Sequence, residues 1–289
     1  MEPISIPLEV SDWVRQVFRD CNERISEKLS NNPNAPEESF DLTLIEHLSR
    51  YSSPKKFDRS SWAVRIVTHY LGGMRHFSGW EIVDIGLLVF FRRGGQVIRN
   101  KVVLLQSKRL YPTNNVVCED DPVDYQIGFG RLADPEDVKV SLTSATEFSF
   151  DMTSSYGALL AGDPQVKAID AFQAKSELAV YYQFYNPWRV PFKQRIPLDV
   201  YRKPSGELSL GTRIIPAPAV HRILAPQRPR WKPSLKSLAD ACGNEEHRFG
   251  WRLEYFIADL LLQCHEGTLL QDPGEPPIHD LFYRRTGPI

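Results

Sequence analysis

The chain is poor in the features that mark several broad protein classes. Cysteine occurs only at Cys21, Cys118, Cys242 and Cys264, widely scattered and without a CxxC pair. That spacing argues against a disulfide framework and against zinc, and it suits reduced thiols in a cytoplasmic protein. No apolar run reaches the roughly eighteen residues of a bilayer span. The N-terminal MEPISIPLEVSDW has no basic flank leading into an apolar segment, so a secretory signal is not expected either. A formal net charge of −1 provides no global basic field. Indiscriminate nucleic-acid affinity is therefore disfavoured, while a local basic groove stays compatible with the composition. No GxxxxGK[ST] phosphate loop, internal repeat or low-complexity run is present.

What is there reads as an ordinary folded chain. Its 289 residues, 42% hydrophobic and 25% charged, suffice for one large domain or a core with an appendage. Apolar periodicity predicts a helix over 7–29, carrying Trp13, Val14, Val17, Phe18 and Ile25, broken by the Asn/Pro-rich 30–36. A second helix is expected over 37–51 on Phe40, Leu44, Leu48 and Tyr51. Alternation predicts a strand at 61–71. Two strongly apolar strands follow, 82–91 and 101–107, joined through Gly94-Gly95, a hairpin signal. Residues 111–163 hold scattered Pro and Gly without sustained period and read as an insertion. A helix over 164–175 and an aromatic strand over 178–185 come next. From Pro187 onward prolines are frequent, with β-like pieces at 196–201 and 208–215, then helical stretches at 234–242 and 249–264. The expected organisation is an N-terminal helix over 1–36, a core over 37–186 and a Pro-rich, helical region over 187–289. Helices at the two ends are expected to pack together or to form a docking surface.

The hairpin carries the chemistry. Val102, Val103, Leu104 and Leu105 are apolar on both faces, so the second strand belongs in the middle of a sheet. It ends in Gln106-Ser107-Lys108, and alternation sends Gln106 and Lys108 to one face and Ser107 to the other. A lysine where a buried strand emerges is costly unless it is paired or used. Asp84, an acid in the apolar run of the first strand, falls near the same end if the strands pair about 94–98. The set Asp84…Gln106-Ser107-Lys108 resembles the PD-(D/E)xK, or restriction-endonuclease-like, nuclease superfamily, in the branch whose second acid is replaced by Gln. The order α-β-β-β-α-β over 37–185 is that of the superfamily's common core, so the resemblance implies an α/β fold with a central mixed sheet. It also implies Mg²⁺ (or Mn²⁺) held by Asp84 and Gln106 through hard oxygen ligands, with Lys108 orienting or activating water and offsetting transition-state charge.

Members of that superfamily often add an acid from the first core helix. Glu37, Glu38 and Glu46 are the candidates here, and Glu38 is preferred because Glu46 lies opposite the apolar stripe. Glu81 falls on the other strand face by an odd-even count. His76 and Trp80 belong to a loop, and Tyr125 and Gln126 are possible contributions from the insertion. Gln173-Ala174-Lys175 repeats the spelling on a helix, where i and i+2 diverge. Basic residues available for DNA are Arg92, Arg93, Lys101, Arg109, and Arg228, Arg230 and Lys232 around Trp231. The resulting expectation is a cytoplasmic Mg²⁺-dependent endonuclease acting on DNA, with RNA as an alternative substrate. The resemblance further suggests an effector of antiviral defence or restriction, governed by a protein partner or acting as a homo-oligomer. The competing expectation is an inactive nuclease-fold scaffold, in which Asp84 and Lys108 are a buried structural pair.

Overall fold

A computed structural model describes residues 5–73, 76–77, 79–117, 145–196, 205–242, 248–270 and 281–282. The chain opens with helices α1 (Leu8–Asn31) and α2 (Glu37–Ser49), which pack on each other. The buried set of α1 includes Val10, Val14, Val17, Phe18, Cys21 and Ile25, the stripe its periodicity predicts. Strands β1 (Lys55–Phe57) and β2 (Trp62–Tyr70) form a hairpin. After the short pair β3 (His76–Phe77) and β4 (Trp80–Glu81) come β5 (Ile85–Arg93) and β6 (Gln96–Arg109). The β5–β6 connection is the two-residue turn Gly94-Gly95, with φ of 56° and 82°. Both values lie in the left-handed region that glycine enters without steric cost, which is why this turn can be so tight.

Strands β7 (Thr113–Val117) and β8 (Ala145–Phe150) lie within the insertion read over 111–163, whose residues 118–144, with Tyr125 and Gln126, lie outside those described. Helix α3 (Pro164–Ser176) has Pro at its start and an Asp163 side chain accepting from the Gln165 N–H at 2.9 Å. It leads into β9 (Val180–Tyr185). Strands β10 (Arg189–Val190), β11 (Phe192–Ile196), β12 (Leu208–Ser209) and β13 (Arg213–Pro216) follow, then helices α4 (Ala217–Leu224) and α5 (Leu235–Cys242). The predicted strand at 196–201 lies mostly outside the described residues. β14 (Trp251–Arg252) runs into α6, one turn at Leu253–Tyr255 continued as a π-helix at Phe256–Leu261, before β15 (Thr268–Leu270). The single helix expected over 249–264 is thus corrected. Gly250 at φ 83° and the pairing of Arg252 with Arg213 hold its first residues extended.

The central sheet is mixed, in the order β1-β2-β5-β6-β9-β13-β14, with β15 also on β6. β2, β5 and β6 pair antiparallel, whereas β9 runs parallel to β6 after the α3 crossover. The long β6 has β5 along one edge and two partners on the other, β15 at residues 100–102 and β9 at 104–109. It is buried from Asn100 to Arg109, as its two-faced apolar run predicts. Each fully buried Val or Leu of that run contributes about 1.5–3 kcal/mol, so this strand fixes the register of its neighbours. β7, β8 and β11 form a separate three-stranded sheet. Because β13, β14 and β15 extend the central sheet and α1 packs on α6, the three regions read from composition share one apolar core. Among the described residues no helix is long and apolar enough to cross a membrane.

Candidate active site at the end of the central strand

Asp84 lies one residue before β5, where the chain bends. Its N–H donates to the Leu105 carbonyl at 2.9 Å, and its own carbonyl accepts from Leu71 at 2.7 Å and Gly72 at 3.2 Å. Bound on both sides, the backbone directs the carboxylate at the end of β6. There Asp84 Oδ2 accepts from Gln106 Nε2 and from the Ser107 N–H, both at 2.6 Å. Lys108 is buried, with its Nζ 3.8 Å from Glu37 Oε2, and its charge lowers the proton affinity of both Asp84 and Asp41. The structure therefore brings Asp84, Gln106 and Lys108 together, as the hairpin register requires.

Glu38 stays exposed on α2, its charge reaching Tyr70 at the margin of the site but not the carboxyls of Asp84 and Asp41. The acids of α2 that face the strand end are Glu37 and Asp41, one turn apart. Glu37 Oε1 accepts from the Arg109 N–H at 2.9 Å, while its other oxygen faces Lys108. Asp41 is 1% exposed. Its Oδ1 accepts from Ser107 Oγ and, at 2.6 Å, from the Tyr185 hydroxyl. Gln183 Nε2 donates to the same hydroxyl, which closes a buried chain of β6, β9 and α2 side chains. Asp41 escaped the sequence reading although the signal was there: it lies three residues before Leu44 and seven before Leu48, on the apolar stripe. An acid at such a position needs partners, and the hydroxyls of Ser107 and Tyr185 are those partners.

The charges are crowded. Burial raises the Asp84 carboxyl well above its usual range and nearby Asp41 adds to this, with Lys108 opposing. Burial pushes Asp41 up to about 7, against the hydrogen bonds from Ser107 and Tyr185. Tyr70 is raised to about 12 by burial and then by Asp41, Glu38, Asp84 and Glu81, so its ring feels the same acidic centre. Glu81 also raises the Asp84 carboxyl itself, so it belongs to the field of the site despite the odd-even count. That count assumes an extended chain between 81 and 84, and the bend at Asp84 breaks it; Glu81 itself accepts from the Gly73 N–H.

The basic residues proposed for DNA divide sharply. Lys101 is 1% exposed, donating from Nζ to the Leu261 carbonyl at 3.0 Å and to the Glu266 carbonyl. Arg109 is buried, with NH1 donating to the Pro33 carbonyl and its guanidinium 3.9 Å from the Tyr111 ring centre. Neither is free to meet a phosphate. Arg92, Arg93, Arg228, Arg230 and Lys232 are exposed. Gln173 caps the start of β9 through the Val180 N–H, and Lys175 lies 5.4 Å from the Phe77 ring centre, so their spelling is coincidental.

Among the described residues no group of three or more His, Cys, Asp and Glu is placed to hold a metal ion. The donor set of Asp84 with Gln106 nonetheless fits Mg²⁺, which keeps several waters and needs only one or two protein carboxylates. Gln106 Oε1 is buried without a hydrogen-bond partner. A buried carbonyl oxygen left unpaired costs about 1–3 kcal/mol, and a hard cation beside it would satisfy it. The raised carboxyls of Asp84 and Asp41 reflect how unfavourable ionisation is here, and a cation beside them would favour the ionised form. No family model, curated protein or solved structure matches this chain.

Proposed function

We propose that this protein is a metal-dependent endonuclease of the restriction-endonuclease-like type, acting on DNA. The observation that carries the reading is the convergence of Asp84, Gln106 and Lys108 at one end of the central sheet, with the unpartnered Gln106 Oε1 among them. Support comes also from the element order α2, β2, β5, β6, α3, β9 and from the parallel pairing of β9 with β6. Asp84 and Gln106 would hold Mg²⁺ or Mn²⁺ through a carboxylate and an amide oxygen. When bound, such an ion polarises a phosphoryl oxygen and makes water a better nucleophile. The Lys108 ammonium supplies a fixed positive charge where charge builds on the phosphoryl oxygens in the transition state. Glu37 holds that ammonium at the strand end, and Asp41 anchors the intervening Ser107.

Plasmid cleavage in Mg²⁺ tests the reading. Lys108→Ala and Asp84→Ala are each expected to lose on the order of 10²-fold or more in rate. Cleavage unchanged in both variants removes the assignment. One observation favours the second reading, a non-catalytic scaffold: Asp84 Oδ2 already accepts two hydrogen bonds without any cation. The two readings part on metal. An endonuclease gains melting temperature in Mg²⁺ and loses that gain in Asp84→Asn; a scaffold shows no such shift.

A further inference from the structure

Residues 208–239 contain no Asp or Glu, in a chain whose Lys plus Arg (35) and Asp plus Glu (36) balance as a whole. One basic residue of this stretch, Arg213, is buried and donates to the carbonyls of Ser209, Leu210 and Gly250. The others, Arg222, Arg228, Arg230, Lys232 and Lys236, are all exposed. They lie on or beside the residues that line an open cleft of about 890 Å³ between α4, α5 and the β13–β14 edge of the sheet. Its walls include Ile214, Ile215, Ile223, Trp231 and Trp251, with Gln227 and Ser237 as polar points. An apolar, partly aromatic cleft of this size with a few polar groups has the dimensions of a ligand site. Arg222 is the cation in its wall, and Arg228, Arg230, Lys232 and Lys236 are next in sequence to wall residues, while the wall's acid, Asp240, is taken up by Arg248 at 3.2 Å.

The turn at Trp231 is built, not loose. Arg228–Trp231 is a turn closed by the Trp231 N–H on the Arg228 carbonyl at 3.1 Å. Arg230 N donates to the Ala161 carbonyl at 2.8 Å, and Ala161 N donates back to the Trp231 carbonyl at 2.9 Å. Within this clamp Arg230 takes φ of 66°, a left-handed value that a non-glycine side chain disfavours. The strained backbone presents Arg228 and Arg230 to solvent while the next residue turns its indole into the cleft.

We propose that this cleft binds single-stranded nucleic acid, at a surface distinct from the Asp84 centre and two strands away from β6. A base stacks on Trp231, Trp251 (itself stacked on Phe256, ring centres 5.8 Å apart) forms part of the apolar wall beside it, and the neighbouring cations track the phosphates. Stacking combined with a row of cations is the chemistry of sequence-tolerant single-strand binding. An acidic polypeptide would satisfy these cations but offers no planar groups for the Trp231 indole. The proposal does not require the Asp84 centre to cleave anything.

The test uses the full-length Lys108→Ala chain in EDTA, so that binding is read without cleavage, with a fluorescent oligo(dT) followed by anisotropy. Trp231→Leu is expected to weaken binding about tenfold or more through lost stacking. The surface double variant Arg228→Ser/Lys232→Ser, which leaves the apolar walls intact, guards against misfolding of the first. It is expected to weaken binding and to flatten the slope of log K against log salt by about 1.4, two phosphate contacts at roughly 0.7 each. No binding tighter than about 100 µM at low salt, affinity unchanged in both variants, or equal affinity for poly-glutamate each overturns the proposal. Because cleavage is never read, the nuclease assignment can fail or stand independently of this result.

Discussion

Asp41 and Glu37 show how far single residues could be read. The first-helix acid was expected at Glu38, yet the helix turns Glu37 and Asp41 to the strand end and leaves Glu38 in solvent. Glu37→Gln is therefore expected to slow plasmid cleavage about tenfold, equivalent to about 1.4 kcal/mol of transition-state stabilisation, while Glu38→Gln cleaves like the parent. Equal effects of the two would return the choice to where the sequence left it. Asp41 also governs pH. Its carboxyl sits at about 7 when folded and near 4 when unfolded. The native state thus holds this proton more tightly, so the stabilisation is full below about pH 4 and is lost as pH rises through about 7. Asp41→Asn keeps an acceptor for Ser107 and Tyr185 but cannot ionise. In EDTA, the melting temperature of the parent relative to Asp41→Asn is expected to fall by several degrees from about pH 5 to pH 8. The lowered His47, His69 and His221 act with the opposite sign, but they are common to both proteins and cancel. A difference that grows in the parent's favour contradicts the assignment.

At the scale of elements, long periodic segments were legible and the shortest were not. α1, α2, β2, β5, β6, α3 and β9 follow their apolar patterns because each buries a continuous face. β13 was legible as the end of the β-like piece at 208–215, whereas β14 spans two residues, too few for a period to show, and is held by pairing with β13 far back along the chain. Lys101 illustrates the same limit. Sequence placed it among phosphate contacts, but β15 covers this part of β6 and the ammonium ties down the end of α6 and the turn before β15. Lys101→Ala is expected to destabilise by about 2–4 kcal/mol in urea, since it leaves two buried carbonyls short of a donor and opens a cavity. Its oligonucleotide affinity should match the parent's; a stable variant that binds DNA poorly would reverse the reading of this residue.

The whole molecule closes on contacts between its two ends. Asn22 of α1 donates to Glu254 Oε2 at 2.8 Å and accepts from the Thr212 N–H at 2.6 Å, all fully or nearly buried. Composition suggested a boundary near Pro187, yet the residues beyond it complete the sheet that begins at β1. Asn22→Leu is expected to cost about 2–4 kcal/mol, because a buried carboxylate and an amide lose partners together. A single denaturation transition that shifts as a whole would reflect the shared core, whereas separate transitions for the two ends would deny it. The chemistry proposed for this fold depends on a hard cation at the tip of β6. The direct measurement is anomalous diffraction from crystals soaked in Mn²⁺. A peak within coordination distance of the Asp84 carboxylate and Gln106 Oε1, absent in Asp84→Asn, is the result expected. A fully soaked crystal with no peak there, or with the same peak in the variant, contradicts a metal-dependent centre at these residues.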